Sequence, residues 1–299
     1  MKTYTKQSLI QELQKIANQG WISSARTGNQ GAVGNTLEDL LGIAENNLPI
    51  PNAAEWELKT QRTGTTALIT LFHSEPSPQA LRLVPQMLLP SYGWPRQEAG
   101  GLYPVTELSF RQTINGLLPT DRGFLVKVDR QERKVIISFN ASKVSERHAA
   151  WLRHVKQNVG LRDLSPQPYW GFDDLEHKAG SKLHNCFYVQ AEIKIVAGIE
   201  YFWFNKVMML QRFSFDGFLN AIESGHTLVD FDARSGHNHG TKFRLRQNFL
   251  PLLYKDVTTV IPALQSAETP KEERLSACFV ITYATATIFQ NGQLCGFVL

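Results

Sequence analysis

Hydrophobic residues recur with two different periods along this chain of 299 residues, and the mixture limits the folds available to it. Leu9, Leu13 and Ile16 recur at helical spacing within residues 5–19, which predicts an amphipathic helix. Residues 56–60 instead alternate between apolar and polar side chains, as a half-buried strand does. The sequence therefore predicts an α/β protein with a mixed central sheet flanked by helices.

Other segments follow one or the other of these patterns. Residues 28–34 are polar and rich in glycine, which predicts a loop, and a helix is expected to begin at Asn35 or Thr36 and to end at Gly42. Residues 160–185 are rich in Pro, Gly, Asp and His and predict a long loop. The remaining predicted elements are strands over residues 66–73, 124–129, 134–139, 186–195 and 227–231, helices over 144–155 and 213–222, a basic loop over 232–240, and a terminal hairpin around Asn291-Gly292.

The composition excludes several classes of protein. The chain is 42% hydrophobic and 19% charged, which is typical of a globular protein and excludes wholesale disorder. The best candidate for a membrane span, Val189 to Leu210, is interrupted by charged residues. No apolar segment follows the first residues, so no signal peptide is expected, and three scattered cysteines do not suggest a disulfide framework. We therefore expect a cytoplasmic protein with reduced thiols and no membrane partner.

The segment with most chemical information is the predicted strand that contains Glu57 and Lys59. Side chains alternate between the two faces of a strand, so Glu57 and Lys59 project the same way while Trp56 and Leu58 turn into the core. A carboxylate can hold Mg²⁺, and an adjacent ammonium can orient a water or stabilise charge on a phosphate. By itself, however, a Glu-x-Lys pair is more often a salt bridge on an exposed strand face.

Longer motifs surround this pair and change its interpretation. They are Gly34-Asn-Thr-Leu-Glu-Asp-Leu-Leu-Gly42, Glu45-Asn-Asn-Leu-Pro-Ile-Pro51, Trp56-Glu-Leu-Lys-Thr-Gln-Arg62, Leu71-Phe-His-Ser-Glu-Pro-Ser-Pro78, Leu89-Pro-Ser-Tyr-Gly-Trp-Pro95 and Val229-Asp-Phe-Asp-Ala-Arg-Ser-Gly-His-Asn-His-Gly-Thr-Lys-Phe-Arg244. Over about the first 260 residues, the chain resembles the MvaI/BcnI family of type II restriction endonucleases, which is related in fold to the MutH mismatch-repair nickase.

The resemblance implies a PD-(D/E)XK nuclease site. Glu57 would be a metal-binding acid, Lys59 the catalytic lysine, and Glu38 an additional acid that reaches the site from the preceding helix. The family pattern also places an aspartate five residues before the strand glutamate, as a second metal ligand, and this chain has Asn52 there. Because an amide offers one neutral oxygen and no charge, metal affinity and cleavage rate should both fall.

Three explanations for Asn52 compete. The substitution could have been introduced to trap an uncleaved DNA complex, which we favour because the rest of the site is intact. The chain could instead be a natural variant with weak or lost cleavage. In the third explanation Glu55, which shares a strand face with Glu57 and Lys59, partly replaces the missing carboxylate.

A basic segment near residue 240 is the predicted DNA-reading region. The resemblance implies that His237, His239 and Arg244 read a short site flanked by G·C pairs, that Arg234 assists, and that Lys242 suits a phosphate. The net charge of +4 permits a polyanionic partner without requiring one. Two plainer interpretations stay open, a solvated basic face and a metal site at the His-x-His pair, although a single histidine pair gives thin support for a metal.

The resemblance implies one bilobal domain over residues 1–262, with a catalytic core centred on residues 35–75 and a recognition region around residues 230–247. Residues 263–299 have no counterpart in the family motifs and are predicted to form a C-terminal extension with a β-hairpin.

The resulting hypothesis is a type II site-specific deoxyribonuclease of a restriction-modification system, which hydrolyses double-stranded DNA at a short CC-N-GG-like site. The resemblance implies Mg²⁺ as the cofactor, with Mn²⁺ as a substitute and Ca²⁺ bound without cleavage. It also implies a monomer that works alongside a DNA methyltransferase without contacting it. Two alternatives stay open: a DNA-binding protein that has lost cleavage, and a MutH-like nickase that needs a partner.

Overall fold

The computed structural model describes residues 4–24, 31–43 and 56–263. The described helices are α1 Lys6–Asn18, α2 Ala32–Leu41, α3 Leu89–Tyr92, α4 Ala149–Val159, α5 Phe172–Leu183 and α6 Phe215–Glu223. The described strands are β1 Ile22–Ser23, β2 Glu57–Arg62, β3 Leu68–His73, β4 Trp94–Pro95, β5 Leu108–Ile114, β6 Arg122–Asp129, β7 Lys134–Val144, β8 Tyr169–Gly171, β9 Asn185–Val196, β10 Ile199–Phe213, β11 Thr227–Arg234, β12 His237–Asn238, β13 Lys242–Arg246 and β14 Tyr254–Ile261.

The first sheet is mixed. Its strands lie in the order β1-β10-β9-β2, and β14 pairs with another part of β10. The strands β9 and β10 form a long antiparallel hairpin, whereas β2 runs parallel to β9. The described residues combine α-helices with three sheets, of which this one is mixed, so the predicted α/β class with a mixed sheet is confirmed.

The second and third sheets carry the rest of the strands. The second has the order β3-β13-β11-β5-β4, with β12 paired to β11, and the third has the order β6-β7-β8. The chain passes directly from β2 of the first sheet into β3 of the second through residues 63–67. The two sheets are therefore joined at the strand that holds Glu57 and Lys59.

Two hydrophobic clusters lie beneath these sheets. In one, helices α1 and α2 pack on the first sheet through side chains such as Leu13, Leu37 and Phe187. In the other, Phe110, Phe231 and further aromatic residues fill the space between the second sheet, the third sheet and helices α3 to α6. Each sheet thus has a buried face that fixes the direction of its remaining side chains.

The beginning of helix α1 follows from two hydroxyl side chains. Thr5 Oγ1 accepts a hydrogen bond from the Ser8 amide, and Ser8 Oγ accepts one from the Thr5 amide, which makes a capping box. The helix predicted over residues 5–19 is therefore confirmed. Helix α2 ends at Gly42 as predicted, with a left-handed φ of 64°, but it begins at Ala32, earlier than the predicted Asn35 or Thr36.

The long loop predicted over residues 160–185 is wrong, because this segment contains β8 and the whole of α5. The buried side chains of α5 are Phe172, Leu175, Ala179 and Leu183, a spacing that places them on one helical face. Asp173 and Asp174 lie in its first turn, where carboxylates are favourable. The prediction of a loop followed the Pro-, Gly- and His-rich composition of the segment and missed the helical spacing of its apolar residues.

All described residues belong to one unit, Met1–Leu264, and a second unit, Gln265–Leu299, lies outside them. The predicted terminal hairpin falls in that second part of the chain. Within the described ranges, no helix is long and apolar enough to cross a membrane.

Candidate active site and charged surface

Strand β2 places Glu57 and Lys59 side by side at the edge of the first sheet. The Lys59 ammonium donates to Glu57 Oε1 over 2.8 Å. Both side chains are largely enclosed, since Glu57 is 8% and Lys59 17% exposed. Trp56 and Leu58 turn to the other side and pack in the core with α1 and α2. The expected alternation of faces holds, and the exposed surface salt bridge of the plainer interpretation does not describe this pair.

Neutral groups lie behind the Glu57 carboxylate. Cys186 is its neighbour on β9, and the buried Tyr254 hydroxyl lies near both. Burial raises the pKa of the Cys186 thiol to about 12 and holds the pKa of Tyr254 well above its ordinary value. Both groups are therefore neutral at pH 7.

The second carboxylate oxygen of Glu57, Oε2, is buried and has no hydrogen-bond partner among the described residues. A buried carboxylate oxygen without a partner is costly, and a divalent cation with a preference for oxygen ligands would satisfy it. Within the described ranges, no group of three or more His, Cys, Asp and Glu side chains could hold a metal ion. Asn52 lies outside those ranges, so its predicted role as a ligand stays a prediction.

A cleft of about 610 Å³ opens beside Lys59, and we call it the β2 cleft. Its walls come from α2, β2 and β3 and from Gln247, the residue after β13. They include Glu38, Lys59, Arg62 and Thr70. The structure therefore brings Glu38 and Lys59 to the same cleft although they lie on different elements. The catalytic roles of both residues stay predictions.

The predicted DNA-facing residues lie in two places. Lys242 and Arg244 are on β13, in the wall of a concavity of about 440 Å³. Arg234 ends β11 and pairs with the buried Glu107 over 3.2 Å. His237 and His239 lie at the tip of the same hairpin, with ring nitrogens 3.2 Å apart. The basic loop predicted over residues 232–240 is thus mostly a β-hairpin, because β11 continues to Arg234 and β12 folds back on it.

Several residues of this concavity were not singled out from the sequence. We call it the charged concavity, and its polar lining is Arg111, Gln112, Thr113, Asp230, Asp232, Lys242 and Arg244. The sequence pattern that could have predicted these residues is the alternation of charged with apolar side chains in segments such as Asp230-Phe231-Asp232-Ala233. That alternation indicates a sheet with one buried and one charged face.

The β2 cleft and the charged concavity adjoin along the pairing of β3 with β13. Arg244 lines the concavity, and its register partner Thr70 lines the cleft. The Arg244 guanidinium also donates to the carbonyl oxygen of Leu68 over 3.1 Å. Burial, and then the nearby Lys242 ammonium, hold the pKa of the His73 imidazole below its usual value.

Comparisons with known proteins agree on one family. Its model, the MvaI/BcnI restriction endonuclease family, matches residues 10–254. The solved complex of restriction endonuclease MvaI with its cognate DNA substrate matches with a TM-score of 0.67 and 24% sequence identity, over 87% of this chain and 100% of that one. MvaI in the absence of DNA matches with a TM-score of 0.51 and 25% identity over the same shares. None of the curated proteins gives a match.

Proposed function

The chain belongs to the MvaI/BcnI restriction endonuclease family, and from this premise we propose that it is a Mg²⁺-dependent endonuclease that cuts double-stranded DNA at a short CC-N-GG-like site. The observation that carries the proposal is the Glu57–Lys59 contact beside the β2 cleft, within the residues that the family model matches. MvaI, to which this chain is similar in fold, was solved in complex with its cognate DNA substrate, and this supports a duplex as the partner.

Glu57 is the described residue that fits a metal ligand, through its buried Oε2, and the Asn52 amide oxygen is the proposed second ligand. When bound, a divalent cation supplies charge neutralisation at the phosphate and lowers the pKa of a water. Mg²⁺ is the proposed ion, Mn²⁺ a substitute, and Ca²⁺ an ion that supports binding without cleavage. Glu38 adds a negative charge to the wall of the β2 cleft, which Lys59 also lines.

Lys59 is the proposed catalytic lysine. Its ammonium is held by Glu57 in an enclosed position, where it can orient the attacking water and donate to an oxygen of the scissile phosphate. In the hydrolysis, the water oxygen forms a new bond to phosphorus and one bridging P–O bond breaks. The water loses a proton, and the leaving oxygen gains one. The reaction is therefore balanced without a further reagent.

The charged concavity and the hairpin tip are the proposed DNA-reading surfaces. Arg244 suits guanine in the major groove, His237 and His239 suit base acceptors, and Lys242 suits a phosphate, with Arg234 in an assisting role. Since the cleft and the concavity adjoin, one duplex could contact both. We further infer action as a monomer that nicks the two strands in successive binding events, next to a companion methyltransferase that it does not touch.

Restoring the expected carboxylate tests the proposal. We expect the Asn52→Asp variant to cut plasmid DNA that contains CC-N-GG sequences when Mg²⁺ is present, and the unchanged chain to cut much more slowly. Product lengths on a sequencing gel show whether the cuts fall at one site. Asn46→Asp, which also adds a carboxylate to the segment between α2 and β2, is the matched control and should not increase cleavage.

A second candidate function is a DNA-binding protein that no longer cleaves, and Asn52 is the observation that favours it. Site-specific binding by both the unchanged chain and Asn52→Asp, with no cleavage by either, would support this alternative. Cleavage that begins only when a partner protein is added would support the nickase. The absence of both binding and cleavage on DNA of mixed sequence would overturn every DNA-directed function.

A further inference from the structure

The charged concavity contains acids as well as bases. Asp230 and Asp232 lie on the central strand β11, between β5 and β13. Asp232 pairs with Arg111 over 2.8 Å and with Lys242 over 3.6 Å. Its three basic and two acidic side chains leave the concavity only one net positive charge.

A surface that only holds phosphates has no use for these carboxylates. Each carboxylate repels a phosphate and weakens the attraction that supplies most non-specific affinity. For Asp232, stability is also a weak reason, because the side chain of its partner Arg111 is 58% exposed, and ion pairs with an exposed partner contribute little to folding. Another role is needed for acids at the centre of a surface proposed to bind a polyanion.

Recognition of DNA bases is a role that needs carboxylates. In the major groove, cytosine presents its N4 amino group as a donor, and the paired guanine presents O6 and N7 as acceptors. A C·G pair therefore offers a donor beside acceptors. Asp230 lies next to Arg244 at 3.4 Å and is oriented by Thr113, whose hydroxyl donates to it over 2.8 Å. A carboxylate beside a guanidinium is complementary to this C·G pair, because the carboxylate accepts from the cytosine amino group and the guanidinium donates to the guanine acceptors.

We infer that Asp230 and Asp232 are specificity-determining residues that accept hydrogen bonds from the amino groups of two cytosines, while the neighbouring cations contact the paired guanines. This inference rests on the proposed function. Side chains two residues apart on a strand are about 6.6 Å apart, close to two base-pair steps of about 3.4 Å each. With β11 along the groove, the two acids therefore match the C·G pairs on either side of the central pair of CC-N-GG.

Without DNA, the ion pairs prepare this surface. Asp232 pairs with both Arg111 and Lys242, and Asp230 pairs with Arg244. Binding exchanges these contacts for contacts with base edges. On DNA that has no amino group within reach, each carboxylate loses its ion pair and gains no hydrogen bond. Binding to such sequences is therefore weakened.

The test is a binding measurement that does not depend on cleavage. The unchanged chain, Asp230→Asn and Asp232→Asn are incubated with a randomised duplex pool in Ca²⁺, and the bound fraction is sequenced. Each variant should lose the preference for cytosine at one pair by roughly 5- to 150-fold, the usual range for one base contact. Affinity for unrelated DNA should rise at low salt, because a negative charge has been removed.

Two controls separate base reading from a structural effect. Asp216→Asn removes an exposed acid of α6 that pairs with Arg130, and it should leave the preference for cytosine unchanged at both pairs. A duplex in which one cytosine is replaced by 2-pyrimidinone, which lacks the 4-amino group, should weaken binding of the unchanged chain. The corresponding aspartate variant should lose little further affinity on that duplex, because the two changes remove the same hydrogen bond.

The outcomes are distinguishable. Cytosine preference that survives in both variants, while the unchanged chain remains selective, overturns the role of the two acids and leaves the proposed function intact. An equal loss of affinity for all sequences, or a fall in thermal stability without a change in preference, overturns it as well. An unchanged chain that binds all duplexes alike overturns the proposed function, and the inference with it.

Discussion

At the scale of single residues, burial distinguishes the Glu57–Lys59 pair from the many Glu-x-Lys pairs on exposed strands. The carboxylate is enclosed between the Lys59 ammonium and the neutral Cys186 and Tyr254 side chains. A charge so placed keeps a strong interaction with any cation or phosphate that reaches it, because little water screens it. This is the physical basis on which we propose the site.

Replacing Lys59 by methionine, in the Asn52→Asp background, should lower the cleavage rate by about 10²- to 10⁴-fold, since methionine keeps the length of the side chain but not its charge. DNA affinity in Ca²⁺ should change little. Single-turnover cleavage and fluorescence anisotropy measure the two effects. Lys255→Met, at an exposed position of β14, is the matched control. A Lys59→Met variant that cleaves at the unchanged rate would remove this residue from the mechanism.

At the scale of elements, a buried polar network joins the strand with Glu57 to the end of the strand with Arg244. Gln247, which directly follows β13, donates to the carbonyl oxygens of Arg62 and Thr65 over 3.1 and 2.7 Å. Tyr188 on β9 donates to the backbone oxygen of Gln247 over 2.8 Å and also contacts the side chain of Gln61. The same hydrogen bonds thus hold the walls of the β2 cleft and of the charged concavity, and a displacement of β13 should also displace β2.

Gln247→Ala removes the donor from this network, so the partly buried Thr65 carbonyl oxygen loses this hydrogen bond and the Arg62 carbonyl oxygen keeps only the one from the Thr65 hydroxyl. We expect the free energy of unfolding to fall by about 1–3 kcal/mol, measured by urea denaturation. Gln157→Ala on the exposed face of α4 serves as the control and should change stability by less than about 0.5 kcal/mol. Equal stability of the two variants would show that the network does not support the site.

At the scale of the whole molecule, the described unit is closed by its last strand. Strand β14 pairs with β10 from Tyr254 to Ile261, and Ile261 is fully buried in the cluster beneath the first sheet. The family model, in contrast, stops at residue 254, at the start of this strand. The contacts of β14 therefore decide where a folded fragment can end.

A chain that ends after Ala263 should keep its melting temperature within about 4 °C, because it retains every described contact of β14. A chain that ends after Leu253 should lose cooperative unfolding, because it leaves part of β10 unpaired and uncovers the core around Ile261. Circular dichroism during heating measures both. Similar melting curves for the two fragments would contradict the role we give to β14.

What the sequence determined by itself was local. Alternating side chains placed Glu57 and Lys59 on one strand face, helical spacing predicted α1, and longer motifs identified the family, because each of these patterns lies within a few neighbouring residues. Tertiary structure decided which distant groups meet: Cys186 and Tyr254 behind Glu57. It also placed Asp232 between Arg111 and Lys242. The pairing order of strands far apart in the chain sets these meetings, and no local pattern records that order.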